Sequence, residues 1–436
     1  MRVAPRFARR LGNLVPELKG MRRASAEAVI VGLIIQGTLV ISGVLLARQL
    51  GPQQRGYAAL LVLWPIVISK LGELGLPNAV AYFVARDPGL FRHTLGLAIS
   101  LAKAQVPLLV LCHAAVLTAF LLGKPPSVIG AAVTTIVLVP ALMAADYGLA
   151  ILQGQQRFRA LNVLRLVNPA VLVPGLLLLG AAHRTSLVAV MIVIVVAFCA
   201  SGAASLIAAL AFHSTERSQL DPVSTRVLLR FGVHGFLGST YLIETFRIDQ
   251  LAIGLFLSPT ALGLYVVGIA FTNLPAFISQ SLAYIAYPGV AAESNRPQRR
   301  RIIWQFFWLS AAASAATVLV LEGSIAVLIP LFFGPQFSTS VGIARIALVG
   351  GLLLSARRIL AETLRGAGLP VASTLAEATL LATLLPALLI GGHYWGAEGV
   401  AGAVAIAGAG SLLVLILFEA HAMKITEDAT VRTGTS

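Results

Sequence analysis

Long apolar runs, separated by short stretches rich in Gly, Pro and charged residues, recur along the whole chain from Ala26 to Met423. A helix needs about 20 mainly apolar residues to cross a bilayer, and these runs are of that length. The pattern predicts about twelve membrane-spanning helices in two groups of six. The first group covers residues 25–46, 57–84, 93–121, 128–153, 160–180 and 186–212, and the second covers 228–256, 260–289, 302–330, 341–365, 371–391 and 397–422.

The predicted spans divide the chain into five parts. We expect a basic segment at 1–24, a first lobe at 25–212, a linker at 213–227, a second lobe at 228–422 and a tail at 423–436. The first part has no short apolar core followed by a small-residue cleavage site, so we interpret it as a retained segment rather than a signal peptide.

Composition supports a bilayer as the solvent for most of the chain. Hydrophobic residues make up 58% of the sequence and charged residues only 11%, whereas ordinary soluble domains are about 25% charged. The longest polar stretches lie at the two ends, which leaves no room for a soluble catalytic domain. The net charge of +15 comes largely from short loops between predicted spans, so it indicates topology and not a nucleic-acid partner.

Lysine and arginine are distributed unequally between the two sides of the predicted bundle. Alternate loops and both ends together hold 21 of them, and the opposite loops hold four: Arg48, Arg55, Lys124 and Arg184. Cytoplasmic loops of membrane proteins carry the excess of basic residues. We therefore expect both termini in the cytoplasm.

A short pattern occurs at the start of both halves. Leu50 to Tyr57 and Leu257 to Tyr265 each contain Leu, a small residue, Pro, a later Gly and a Tyr, at an offset of about 207 residues. Similar short sequences are also common in ordinary turns between helices, as in the segment from Phe333 to Gln336. With six spans in each half, the pattern favours two parallel repeats, between which transporters place the substrate path.

Several segments resemble the polysaccharide and oligosaccharide-lipid flippases of the multidrug/oligosaccharidyl-lipid/polysaccharide exporter superfamily. The likeness extends over essentially the whole chain, although each motif is short. The lipid II flippases of that superfamily have two further helices that this chain lacks. The segments that carry the resemblance are 47–57, 72–78, 152–158, 247–250, 364–368 and 396–403.

The resemblance implies an all-α, MATE-like integral membrane fold of two lobes in the bacterial inner membrane. It also implies a function: moving a polyprenyl-diphosphate-linked oligosaccharide to the outer leaflet by alternating access, for O-antigen or exopolysaccharide synthesis. The partners implied are that glycan, membrane lipids, and polysaccharide polymerase or export proteins. No enzymatic activity and no cofactor are expected, apart from a coupling Na⁺ or H⁺.

Cations inside predicted spans are costly and mark candidate ligands for the diphosphate. Lys103 lies about 15 Å into its helix at 1.5 Å per residue, and no acid stands three or four residues from it. It either contacts phosphate or pairs with an acid on another helix. The other candidates inside spans are Arg345, which also has no local acid, Arg247 and Lys70. Arg48, at the first outer loop, either guides the head group outward or is an interfacial anchor.

Three intramembrane cations have acids at helical spacing. Lys70 with Glu73 and Glu244 with Arg247 are three residues apart, and Arg358 with Glu362 four; such pairs can neutralise each other on one helix face. For ion coupling, the candidates are Glu73, Asp146, Glu244 and Glu377. We further expect Arg247 and Asp249 to form one side of a gate.

Two other functions stay open from the sequence. A multidrug exporter of the same superfamily predicts a smaller, less cationic cavity with acidic coupling sites. A membrane glycosyltransferase or polymerase is disfavoured because the predicted outer loops are very short and the first of them, 49–56, has no carboxylate.

Overall fold

The computed structural model describes the backbone of residues 4–87, 89, 91–211, 223–239 and 241–433, and within these ranges the side chains of residues 30–236 and 241–421. Every regular element in this part of the chain is helical. The first half forms α1 (Ala4–Glu73), α2 (Leu76–Arg86), α3 (Phe91–Leu121), α4 (Pro126–Thr134), α5 (Leu138–Gly154), α6 (Phe158–Arg165), α7 (Val167–Ala181) and α8 (Leu187–Ala211).

The described residues of the second half form eight further helices, some of which continue one another through short 3₁₀ turns. These are α9 (Thr225–Ser239), α10 (Leu242–Phe246), α11 (Ile248–Phe256), α12 (Pro259–Gly268), α13 (Asn273–Ala292), α14 (Arg296–Phe333), α15 (Ser340–Gly366) and α16 (Pro370–Thr433).

Among the described residues, eight helical stretches are long and apolar enough to cross a membrane. Two of them, Ile30–Glu73 with 44 residues and Pro370–His421 with 52, contain a non-helical glycine, Gly51 or Gly396, at which two helices meet. Each of these two stretches therefore makes two crossings. The eight stretches, two of which cross twice, together with α15 and the interrupted segment α9–α11 give the predicted count of about twelve spans.

The structure corrects two predicted boundaries near the start of the chain. The expected loop at 49–56 is replaced by a single kink at Gly51, whose φ of 68° is readily adopted only by glycine. The expected helix 57–84 is interrupted at Leu74 and Gly75, with φ of 51° and 70°. A Cβ on Gly75 would lie 2.4 Å from the carbonyl oxygen of Gly232, so the break allows α9 to approach α2 closely.

The expected helix 228–256 is also interrupted. Arg247, with φ of 48°, separates α10 from α11, and α9 ends at Ser239. A positive φ in a non-glycine residue cannot continue a right-handed helix. Discontinuous helices of this kind are where membrane transporters expose backbone and charged groups to a cavity.

Apolar residues form cores that lie mainly within one half and cores that combine both halves. Leu76 and Val80 belong to a core of the first half, and Ile359 and Leu415 to one of the second. One of the latter, which we call the shared core, combines residues of α1 with residues of α11 and α12, and another packs α1 against α12 and α14. Many large apolar side chains point outward, such as Leu319 at 72% exposure, as expected for a multi-pass membrane protein whose outer surface contacts lipid.

The turns lie at two ends of the bundle. One end, which we call the basic end, holds the turns 155–157, 293–295 and 367–369. The other, which we call the closed end, holds the kink at Gly51 and the turns 122–125, 182–186 and 257–258. The sequence predicts the basic end to be cytoplasmic.

Candidate functional site

The two repeated segments meet at the closed end of the bundle. A Cβ on Gly56 would lie 1.7 Å from the carbonyl oxygen of Pro259, and a Cβ on Gly263 would lie 1.9 Å from that of Pro52. The contact is reciprocal, because Pro52 and Pro259, like Gly56 and Gly263, are equivalent positions of the repeat. The halves therefore touch backbone to backbone about a local two-fold relation.

Further contacts reinforce this closure. Arg48 donates from Nε to the carbonyl oxygen of Phe332 at 2.7 Å and from Nη2 to that of Leu331 at 2.6 Å, which connects α1 to the end of α14. Beneath the glycine contact, Leu60 and Leu63 pack in the shared core. Arg48 thus has a structural role in this conformation, and its contact with substrate stays a prediction.

A cavity of about 890 Å³ lies between the two halves, toward the basic end. Its walls come from α1, α2 and α5 in the first half and from α9, α10, α13 and α15 in the second, together with Gly75 and Tyr241 just outside those helices. We call it the central cavity. Its charged lining residues are Lys70, Glu73, Asp146, Glu244, Arg358, Glu362 and Arg365.

In the first half, one lysine forms ion pairs with two carboxylates. Lys70 Nζ lies 2.6 Å from Asp146 Oδ2 and 3.7 Å from Glu73 Oε2. The predicted Lys70–Glu73 pair is confirmed, but Asp146 on α5 is the nearer partner, and spacing along one helix could not reveal it. Glu73 is buried and its Oε1 has no hydrogen-bond partner among the described residues.

In the second half, the expected pairs are wrong. Glu244 pairs with Arg358 instead of Arg247, because the left-handed Arg247 ends α10 and removes the helical i,i+3 geometry. Glu362 accepts hydrogen bonds from Tyr241 Oη at 2.5 Å and from Arg365 Nη1 at 3.1 Å.

The central cavity is therefore balanced in charge and not cationic. Three cations and four carboxylates line it, and each of the three cations has a carboxylate partner. Two phosphate candidates for which the sequence shows no local acid, Lys103 and Arg345, do not line this cavity. Its uncharged polar lining consists of amide, phenol and hydroxyl groups from Asn78, Gln153, Gln280, Tyr241, Tyr284, Tyr287 and Thr245.

The two leading phosphate candidates lie elsewhere. Lys103 is exposed on α3, on the same helix as the outward-facing Ile99 and Leu111. It lines neither the central cavity nor a second, smaller cavity. No acid among the described residues pairs with it. Arg345 Nε lies 3.9 Å from Glu322 Oε2, with its side chain 56% exposed. Contact of either with substrate stays a prediction for another conformation.

The second, smaller cavity, of about 250 Å³, is lined by the second half together with Gln36 of α1, and it includes Arg247 and Asp249. Asp249 is buried, and its Oδ2 accepts a hydrogen bond from Tyr265 Oη at 2.7 Å. Glu244 and Arg358 line both cavities, so their ion pair stands between them. The predicted gate role of Arg247 and Asp249 stays a prediction.

Glu377 lies deeper between the helices of the second half. It pairs with Arg357, whose Nε donates to Ser411 Oγ at 2.7 Å. Glu377 Oε2 also accepts a hydrogen bond of 3.5 Å from the backbone N–H of Leu242, beside the gap between α9 and α10. This network stabilises the interrupted helix, and ion coupling by Glu377 stays a prediction.

Sequence reasoning missed part of the central cavity. Their charge at membrane depth marks Arg358 and Glu362, but their spacing along the sequence favours a local pair over a role in the cavity. Tyr241, Tyr284 and Arg365 gave no signal, because their position depends on how the two halves pack.

Comparisons with known proteins address family and fold. Residues 26–291 match the sequence model of the family described as polysaccharide biosynthesis protein. A comparison with curated protein sequences finds no significant match.

Three solved structures show the fold. The lipid II flippase MurJ in an inward closed conformation gives a TM-score of 0.73 at 13% identity, over 89% of this chain and 86% of that chain. An inward-facing multidrug resistance MATE family transporter of the MOP superfamily gives 0.72 at 13%, over 93% and 99%. The MATE multidrug transporter DinF-BH in complex with R6G gives 0.65 at 16%, over 92% and 94%. At these identities the likeness establishes the MATE-like fold, which confirms the fold expected from the sequence.

Proposed function

The chain belongs to the family of polysaccharide biosynthesis proteins, and from this premise we propose that it is a flippase for a polyprenyl-diphosphate-linked oligosaccharide. It moves this lipid from the cytoplasmic to the outer leaflet of the bacterial inner membrane by alternating access. The observation that carries the proposal is the large polar cavity between two repeat-related halves, which are in backbone contact at one end.

The lining of the cavity suits a sugar chain attached to an anionic group. Its volume of about 890 Å³ lies at the upper end of ligand pockets, which span about 300–1,000 Å³. Asparagine, glutamine and tyrosine side chains donate and accept hydrogen bonds with hydroxyl groups, and the tyrosine rings add rigid apolar faces. Lys70 and Arg358 supply phosphate ligands from opposite halves.

The distribution of basic residues supports a cytoplasmic position for the basic end and both termini. The central cavity then lies toward the cytoplasm, where lipid-linked precursors are made, and the glycine contact closes the outer side. Transport requires the glycine contact to separate and the central cavity to close toward the basic end, where α9 already packs on α2. A proton or Na⁺ gradient drives the cycle, with Glu73 and Asp146 as the coupling candidates that line the path.

A second candidate is a multidrug exporter of the same superfamily. The charge balance of the central cavity favours it, because four carboxylates and three cations resemble the less cationic cavity expected for such an exporter. The family match favours the flippase. A glycosyltransferase remains the third alternative, and sugar transfer by the purified protein would establish it.

Deletion of the gene in the native host tests the proposal. We expect complete lipid-linked repeat units to accumulate in the cytoplasmic leaflet, because synthesis continues while export stops. Plasmid-borne wild-type protein should clear them, and so should the Gly402→Ala variant, whose added Cβ would meet nothing within 4 Å. Unchanged glycan together with altered drug tolerance would instead identify the exporter.

A further inference from the structure

The cations of the central cavity differ in how firmly their carboxylate partners are held. Asp146 and Glu244, the partners of Lys70 and Arg358, have side chains 28% and 40% exposed. Glu73, by contrast, is only 4% exposed. Glu362, which pairs with Arg365, is also bound by Tyr241. Two of the four carboxylates can therefore turn away into the cavity, and two are fixed.

An anionic head group must compete with these carboxylates. Lysine offers three donors at one point charge and arginine a planar set of five. In the empty cavity Lys70 is paired with Asp146 and Arg358 with Glu244. The seven charged groups of the lining carry a net charge of −1. Adding a diphosphate without removing a carboxylate from its cation would place like charges together at low dielectric, which is strongly unfavourable.

We propose that Asp146 and Glu244 are displaceable counter-ions that occupy the diphosphate-binding positions of Lys70 and Arg358 while the cavity is empty. The diphosphate takes over the two cations, one from each half, and the two carboxylates turn toward water. This inference rests on the proposed function, since it concerns how the same cavity binds its anionic ligand.

The exchange explains why a cavity for an anion is balanced in charge. After release of the lipid, the empty protein must return to its first conformation. An unpaired lysine or arginine in a membrane interior is costly, and a carboxylate that takes the place of the phosphate removes that cost. Glu73, held beside Lys70, keeps the lysine positioned throughout.

Binding measurements on the purified full-length chain test the exchange. The probe is undecaprenyl diphosphate, and undecaprenol, which has the same tail and no phosphate, is the reference ligand. We expect Asp146→Asn and Glu244→Gln each to bind the diphosphate roughly fivefold to tenfold more tightly than wild type, since each removes a competitor of near-identical shape. Lys70→Gln should bind it at least about tenfold more weakly. None of the three should change affinity for undecaprenol.

Glu419→Gln is the matched control. It also releases an arginine, Arg300, from its carboxylate, but at a pair that lines neither cavity, and it should leave diphosphate affinity unchanged. Thermal unfolding of each variant confirms folding, and Glu244→Gln, at the more exposed position, stands in if Asp146→Asn does not fold. If wild type binds the diphosphate but neither acid variant binds it more tightly, the counter-ion proposal is overturned and the proposed function is retained. If the wild-type protein binds undecaprenyl diphosphate no more tightly than undecaprenol, both the counter-ion proposal and the proposed function are overturned.

Discussion

The Gly56→Leu variant is expected to lose translocation completely while remaining folded in the membrane. Even the first side-chain atom at this position would lie 1.7 Å from the carbonyl oxygen of Pro259, a distance at which one backbone must move away. The contact joins the two halves at the closed end, so the larger side chain should hold that end apart. Gly263→Leu should act in the same way, because its Cβ would lie 1.9 Å from the carbonyl oxygen of Pro52.

Thiol labelling measures this directly. In a protein whose Cys112 and Cys199 are replaced by alanine, Leu60→Cys places a thiol at a position that is 2% exposed beneath the contact. An impermeant reagent added from the outer side should label this thiol in Gly56→Leu and not in the resting parent. Gly402→Ala, which fills open space, should behave like the parent. Normal translocation and an unlabelled thiol in the Gly56→Leu protein would show that the glycine contact is not the outer closure.

Arg358→Ala is expected to reduce translocation about 100-fold. Truncating one member of a desolvated charge pair costs about 2–5 kcal/mol, and here it also removes a proposed phosphate ligand. Arg358 has a side chain only 8% exposed, pairs with Glu244, and lies with its guanidinium carbon 4.8 Å from the centre of the Tyr241 ring. Alanine leaves Glu244 as an unpaired acid between the two cavities.

A double-mutant cycle separates the two contributions. If Arg358 only neutralises Glu244, then Arg358→Ala with Glu244→Ala should recover most of the translocation. Because we assign Arg358 to the phosphate, we expect the double variant to recover thermal stability and to remain inactive. The matched cycle uses Arg300 and Glu419, an ion pair that lines neither cavity, where loss of both should have little effect. Recovery of activity by the Arg358 double variant would remove this residue from the binding site.

Span number and fold could be predicted because apolar length and loop charge report directly on the bilayer. The kinks could not. Arg247 and Leu74 interrupt helices inside continuous apolar runs, and nothing in hydropathy distinguishes a residue at φ of 48° or 51° from its helical neighbours. These breaks arise from tertiary packing, as where Gly75 allows α9 to approach α2.

The central site was predicted in part for a related reason. Lys70, Glu73, Asp146 and Glu244 were recognised because ionisable groups at membrane depth need a partner or water. The partners themselves were missed wherever they lie on another helix, as with Asp146 for Lys70 and Glu322 for Arg345. Lys103 is a candidate because of its depth and its lack of a local acid, and neither property says which face of a helix a residue occupies.

Translocation in vesicles of defined lipid tests the central claim most directly. The purified chain is reconstituted with a fluorescent polyprenyl-diphosphate-linked oligosaccharide, and an impermeant enzyme that modifies the sugar is added outside. In protein-free vesicles only lipid in the exposed leaflet should react. With the wild-type chain and an imposed ion gradient, we expect nearly all of it to react, and with Gly56→Leu no more than in protein-free vesicles. If wild-type protein, shown to be folded, leaves the inner-leaflet sugar protected while it moves a cationic dye, the flippase account is contradicted.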